Sequence, residues 1–215
     1  VKITNTKDVP ETVDCVPVLE YTHPLAFKQF NNADWVPQTM VSKAYDLESG
    51  MKLLSQYAFC YKDEQENYIT SNYPVSSFES DRKIFLGDNE YGSWKAPQSL
   101  LNDDLSNYEA YRGDNIAALL HKLGEIAPGE TKRIIIQIGQ TDNIENELLM
   151  IKRYRNEEVV DNAFQGLHDF WESTLSKFQI ETPDPAMNSI INVFNPYQCF
   201  TTLNWSRYLS YYQLG

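Results

Sequence analysis

The sequence predicts an α+β chain in which an antiparallel β-sandwich is followed by helices. Three observations carry this. Residues 1–140 hold strand-length runs bounded by turn residues. At Asp142 the apolar spacing changes to a helical period. Further on, Glu181-Thr182-Pro183-Asp184-Pro185 breaks the helical pattern with two prolines, neither suited to a helix interior. That break is the clearest domain boundary in the chain.

The elements follow in order. Val13–Tyr21 is β-branched and partly alternating, with Pro17 placing it at an edge or bulge. Val41–Tyr45 and Met51–Phe59 flank Asp46–Gly50, which predicts a hairpin with Gly50 at positive φ and Met51, Leu53, Ser55, Tyr57 and Phe59 on one face. Ile116–Leu123 and Lys132–Gly139 flank Ala127-Pro128-Gly129-Glu130, which predicts a second hairpin through a type II turn. Several strands at this spacing indicate a β-sandwich. Between the hairpins, residues 86–115 form a long irregular stretch with Tyr91, Gly92, Trp94 and Tyr111, expected as a loop packed by its own aromatics.

The helices come next. Asp142 or Asn143 caps the first, with Glu145 and Glu147 in its first turn complementing the helix dipole. In the second, Val160, Phe164, Leu167, Trp171, Leu175 and Phe178 recur at helical spacing, which predicts one deeply buried face. His168, beside that stripe, reads as a packing residue. A helix resumes at Ala186 and runs to Pro196, which either kinks it or starts a new helix.

Bulk properties exclude several classes. Net charge is −12, spread along the chain, which disfavours non-specific binding to nucleic acid or to anionic membranes. Cys15, Cys60 and Cys199 form no C-x-x-C pair, so no zinc or redox motif is present, and free buried thiols in a reducing cytoplasm are expected. No apolar run is long enough to span a membrane. The 14 tyrosines suit carbohydrate binding and β-sheet cores alike. The chain begins at Val1 and ends at Leu214-Gly215, and it is expected to be an excerpt of a longer protein.

Asn195–Arg207 packs amides, hydroxyls, aromatics and one arginine into a helical run. Buried polar groups cost free energy unless paired. The stretch therefore reads either as a helix with a satisfied polar face or as the wall of a site for sugar or phosphate.

Two segments resemble a known family. Asn195–Arg207, with Tyr211-Tyr212 and Gly215, is similar to the start of the catalytic barrel of the inverting β-glucoside phosphorylases. These are the cellobiose, cellodextrin and chitobiose phosphorylases of glycoside hydrolase family ninety-four. Ser77–Gly87 resembles the aspartate–arginine, phenylalanine–leucine–glycine signature of that family's N-terminal β-sandwich. The resemblance covers roughly residues 77 to 215, and its Asn-Pro-Tyr-Gln-Cys-Phe-Thr-Thr wording is closest to the cellodextrin branch.

The resemblance implies a β-sandwich over 1–141, incomplete at its N-terminus, a helical linker over 142–182, and the truncated start of an (α/α)6 catalytic barrel over 183–215. It implies phosphorolysis of cellobiose or cellodextrin with inversion, giving α-glucose 1-phosphate, in a cytoplasmic homodimer. Inorganic phosphate is a co-substrate, and no cofactor, metal, nucleic acid or membrane is implied. Arg207 is implied to contact phosphate, and Tyr197, Gln198, Asn204 and Ser206 to line the substrate site. The family's catalytic aspartate lies further along, so no catalytic residue is assigned here and the 215 residues alone are expected to be inactive. Asp81, Asp103, Asp104 and Asp114 sit in the β region, and Asp81 and Arg82 are expected in a structural pair or domain contact. Two other readings stay open: a non-catalytic carbohydrate-binding or scaffolding sandwich, and a glycoside hydrolase of related architecture.

Overall fold

The computed structural model describes residues 1–25, 31, 35–61, 65–87 and 94–202. The chain divides into two compact units, Val1–Glu157 and Glu158–Gly215.

Among the described residues, the first unit has ten strands. They are β1 (Lys2–Thr4), β2 (Glu11–Cys15), β3 (Val18–Glu20), β4 (Met40–Asp46), β5 (Lys52–Ala58), β6 (Glu66–Ser71), β7 (Ser77–Asp81), β8 (Asn115–Ile126), β9 (Thr131–Arg133) and β10 (Ile136–Thr141). One antiparallel sheet has the order β10-β6-β5-β4. The other is centred on β8, with β2 and β3 along one edge and β7 also paired to it.

β2 and β3 are one edge strand interrupted by Pro17. Cys15 faces His121 and Val18 faces Ala118, so the register carries through the gap, and Leu119 N–H still donates to Pro17 O at 3.2 Å. Proline has no N–H to give the ladder, and an edge is where that costs least. The edge also carries a bulge at Val13/Asp14 opposite Gly124, whose φ is +70°. The expected edge or bulge is thus present.

The first hairpin forms as the sequence predicts. β4 pairs with β5 from Met40–Ala58 to Asp46–Lys52, and Gly50 takes φ +74° in the turn. Leu53 and Leu54 then point to opposite faces, and both are fully buried. Leu54 meets Ile69, Phe78, Ala117 and Leu119 between the sheets. Leu53 and Tyr68 instead meet Ile144 and Ile151 of helix α2 (Ile144–Arg153), which covers the outer face of that sheet. β5 is central and covered on both sides, so it shows no clean inside–outside alternation. The same holds for β8, where residues 115–121 are all buried.

The second predicted hairpin does not form. Its turn is real, with Glu130 N–H donating to Ala127 O at 3.0 Å and Gly129 at φ +76°. Its strands, however, do not pair with each other: β8 pairs with β2, β3 and β7, β9 with β1, and β10 with β6. The turn carries the chain from one sheet to the other. Ile134 and Ile135 are both buried at the crossing, so burial does not alternate there, and Ile138 is exposed.

Helix α1 (Arg82–Leu86) follows β7 directly and drops Phe85 and Leu86 onto the outer face of β8, beside Ile116, Ala118 and Leu120. It ends at Gly87, with φ +66° and ψ −138°. A Cβ there would also lie 1.8 Å from Gln98 Oε1. Gly87→Ala is therefore expected to destabilise the unit by about 1–3 kcal/mol, the usual cost of a side chain held in a glycine-only conformation. A lowered thermal unfolding midpoint checks this.

The second unit contains α3 (Glu157–Leu175, whose first residue belongs to the first unit), α4 (Pro185–Ser189), a π turn (Ile190–Phe194) and α5 (Asn195–Thr202). The helical period of α3 is as expected, but the deep burial is not. No residue of α3 is buried, and Phe164 and Leu167 are 66% and 52% exposed. A period fixes which residues share a side and says nothing about whether another element covers that side. His168 is likewise exposed rather than packed. Trp171 does meet Phe200 of α5 edge to face, with ring centroids 5.1 Å apart.

Candidate functional site

The C-terminal helical run starts where its sequence dictates. Asp184 accepts from the Ala186 and Met187 amides as N-cap, and Pro185 occupies the first helical turn, where a missing N–H costs nothing. The backbone stays helical into Pro196, with a new α-helical segment starting at Asn195. Asn195 N–H donates to Ile190 O, five residues back, so a π turn precedes the proline and the helix continues to Thr202. Widening the turn accommodates a residue that cannot donate to the helix ladder and would crowd the carbonyl one turn before it.

Two asparagines on this run hold the segment that leads into it. Asn192 Oδ1 accepts from Ile180 N–H at 2.9 Å, and its Nδ2 donates to Ile180 O at 2.8 Å. Asn188 does the same for Thr182, at 2.9 Å in both directions. Residues four apart on a helix rise about 6 Å, and alternate residues of an extended chain advance about 6.6 Å. One helix face thus acts as a strand edge for residues 180–182. The clamp lies just before the polar stretch Asn195–Arg207 and does not use its amides.

Of the predicted site residues, Tyr197 and Gln198 lie on α5, and both are exposed. Asn204, Ser206 and Arg207 lie outside the described residues. Tyr91 and Gly92 of the aromatic loop do too.

The Ser77–Gly87 segment resolves into separate jobs. Asp81 caps α1 by accepting from Ile84 N–H at 2.9 Å. Arg82 donates to Glu20 at 2.9 Å, tying α1 to β3, and lies over the Trp94 ring. Phe85 and Leu86 anchor the helix, and Gly87 ends it. This is a structural assignment, as expected for Asp81 and Arg82.

Glu79, which sequence reasoning missed, is fully buried in β7. Its Oε1 accepts from the Ser80 and Asp81 amides at 2.9 and 3.0 Å, and its Oε2 accepts from the Ser106 hydroxyl. Burial pushes its carboxyl above the ordinary range, against the pull of those hydrogen bonds. Ser77, Ser80 and Asn107 complete the stitching of residues 105–110 along β7. Among the described residues, 105–110 are thus fastened to β7 by polar side chains, while Trp94 packs on Phe85 and Tyr108 on an exposed Tyr111. The signal was a polar Ser-Phe-Glu-Ser run inside a strand.

The three thiols are free, but they are not all buried: Cys15 is half-buried, and Cys60 and Cys199 are exposed. Among the described residues no group of three His, Cys, Asp or Glu side chains could hold a metal ion. Among the same residues no helix is long and apolar enough to cross a membrane.

Comparison with known proteins gives two consecutive family matches. Residues 1–157 match the model for the glycosyl hydrolase 94 supersandwich domain, and residues 170–215 match that for the glycosyl hydrolase 94 superfamily catalytic domain. The N,N'-diacetylchitobiose phosphorylase of Vibrio furnissii is 27% identical over all of this chain, which spans 26% of that relative's length. The enzyme of the same name from Vibrio proteolyticus is 29% identical over 69% of this chain and 18% of its own. The 3-O-beta-D-glucopyranosyl-beta-D-glucuronide phosphorylase of Paenibacillus borealis is 24% identical over 78% of this chain and 22% of its own.

Proposed function

Because this chain belongs to the glycosyl hydrolase 94 family, we propose that the whole protein is an inverting glycoside phosphorylase that cleaves a β-linked glucoside with inorganic phosphate. The supporting observation is the order of the two matches, with the supersandwich leading into the start of a catalytic domain within 215 residues. In the proposed reaction a phosphate oxygen bonds to the anomeric carbon as the glycosidic C–O bond breaks. A single carboxylic acid protonates the leaving oxygen. Hydrolases of the inverting kind need a second carboxylate to activate water, whereas phosphate is already nucleophilic.

The finer reading is cellobiose or a cellodextrin as substrate and α-glucose 1-phosphate as product, in a cytoplasmic homodimer. It rests on the wording of residues 195–202. Two of the relatives are named for diacetylchitobiose and one for a glucosyl-glucuronide. The test is therefore a panel of initial rates for the full-length protein with phosphate and each of cellobiose, longer cellodextrins and diacetylchitobiose. Turnover of diacetylchitobiose alone would reject the cellodextrin reading and keep the phosphorylase one.

The proposal divides the protein into a sandwich over 1–141, a linker over 142–182 and a barrel start from 183. It gives Arg207 the phosphate, because its planar guanidinium donates bidentately to phosphate oxygens. Tyr197, Gln198, Asn204 and Ser206 complete the proposed wall. Arg207→Ala in the full-length protein is expected to lose about 1.5–3 kcal/mol of that contact, roughly ten- to a hundredfold in kcat/KM for phosphate. Steady-state kinetics with phosphate varied checks this, and unchanged values remove Arg207 from the site.

A further inference from the structure

Residues 176–184 carry the chain from α3 into α4 and belong to no helix or strand. With Pro183 and Pro185 at its end, such a stretch would serve as a hinge. It is instead tied down at alternate residues. Asn192 takes both backbone groups of Ile180, and Asn188 takes both of Thr182. A side-chain carboxamide offers an acceptor and a donor side by side, so each asparagine stands in for one residue of a paired strand. The Thr182 hydroxyl donates to Asn188 Oδ1 at 2.8 Å and accepts from Asp184 N–H at 3.2 Å, and Asp184 caps α4. Ile180 and Thr182 are half-buried, and Glu181 between them is exposed.

The same helical run is held a second time, where Trp171 of α3 meets Phe200 of α5 at 5.1 Å. Asn188 and Phe200 are twelve residues apart, about 18 Å along a helix. A rod held at two points that far apart does not pivot against α3. Its direction sets where the chain beyond Thr202 is delivered, and Arg207 follows five residues later in the sequence.

We propose that Asn188 and Asn192 are positioning residues for phosphate. By locking the Thr182–Pro185 corner onto the helix, they aim the segment that carries Arg207. This rests on the phosphorolytic reading and on the phosphate role of Arg207. Reaction geometry is steep, and a displacement of about 1 Å by a distant mutation costs up to about a hundredfold in rate.

Two measurements on the full-length protein test it. Hydrogen exchange read by mass spectrometry is expected to be slow at Ile180 and Thr182 in the wild type and faster in Asn188→Ala and Asn192→Ala. Steady-state rates with inorganic phosphate varied are expected to show KM for phosphate raised about tenfold or more in each variant. A variant that only unfolds in part loses active enzyme, which lowers apparent kcat and leaves KM unchanged. Glu181→Ala, at the exposed residue of the same stretch, is expected to change neither readout. Should the asparagine variants fail to fold, Thr182→Val decides alone. It removes the hydroxyl bond to Asn188 and is expected to raise KM for phosphate by less. Fast exchange at Ile180 and Thr182 in the wild type, exchange that stays slow in the variants, or an unchanged KM for phosphate in the deciding variant overturns the proposal. Wild-type protein that turns over without need of phosphate overturns the phosphorolytic reading and this proposal with it, and slow exchange at Ile180 and Thr182 then marks the reading as the part that failed.

Discussion

Replacing Glu79 with alanine is expected to cost about 2–6 kcal/mol, since the change orphans two backbone donors and each unsatisfied buried donor costs roughly 1–3 kcal/mol. The donors are the Ser80 and Asp81 amides, at a site where Glu79 and Ser80 are fully buried. The loss also frees the Ser106 hydroxyl, which accepts from Tyr108 N–H at 3.1 Å, so the hold of β7 on residues 105–110 weakens. Faster hydrogen exchange at Tyr108 and Ala110, with a lower unfolding midpoint, is the readout. Glu79→Gln keeps Oε1 as acceptor and is expected to lose much less.

The pH dependence follows from the direction of the shift. Burial raises the folded-state pKa of Glu79 above its unfolded value. The fold then binds the proton more tightly than the unfolded chain does. The stabilisation from that proton is full below the unfolded value, about 4.3, and is lost as pH rises through the folded one. Glu79→Gln removes this titration, so the fall in β7 stability across that window is expected to flatten.

Leu54→Ala is expected to cost about 2–5 kcal/mol, the transfer term plus the cavity left in a packed core. Leu54 is fully exposed to neither solvent nor helix: it is 0% accessible and sits where both sheets meet, against Ile69, Phe78 and Leu119. Collapse around the gap would require both sheets to shift. Exchange of the β8 amides measures the loss locally, which suits a chain of two units better than a single global transition. Leu148→Ala, at a partly exposed position of α2, serves as the comparison.

Local chemistry made part of this molecule legible. The Asn143 cap and the positive φ at Gly50 and Gly129 are each set by a residue and its neighbours. So is the split of the β2–β3 edge at Pro17. Partner choice was not legible. The strand pattern of Lys132–Gly139 fixes an extended chain, but nothing within it says that β10 pairs with β6 instead of turning back on β8. β6 itself passed unnoticed, because Glu66-Asn67-Tyr68-Ile69-Thr70-Ser71 is a central strand with a mixed face. Glu79 was hidden for a related reason. A carboxylate reads as surface until the donors that surround it, the Ser106 hydroxyl among them, are brought in by the fold.

The candidate site divides along the same line. The polar run Asn195–Arg207 was visible as unusual, and its resemblance to the start of the family's catalytic barrel agrees with a catalytic-domain match over 170–215. The clamp made by Asn188 and Asn192 was not visible, since it depends on an extended segment returning alongside its own helix.

The most direct measurement on the proposed function is the product of the full-length protein acting on its best β-linked substrate, followed by proton and phosphorus NMR with and without phosphate. Inverting phosphorolysis predicts that cleavage needs phosphate and gives one α-configured sugar 1-phosphate per bond broken. Equal release of free reducing sugar without phosphate, or a β-configured phosphate ester, would contradict it.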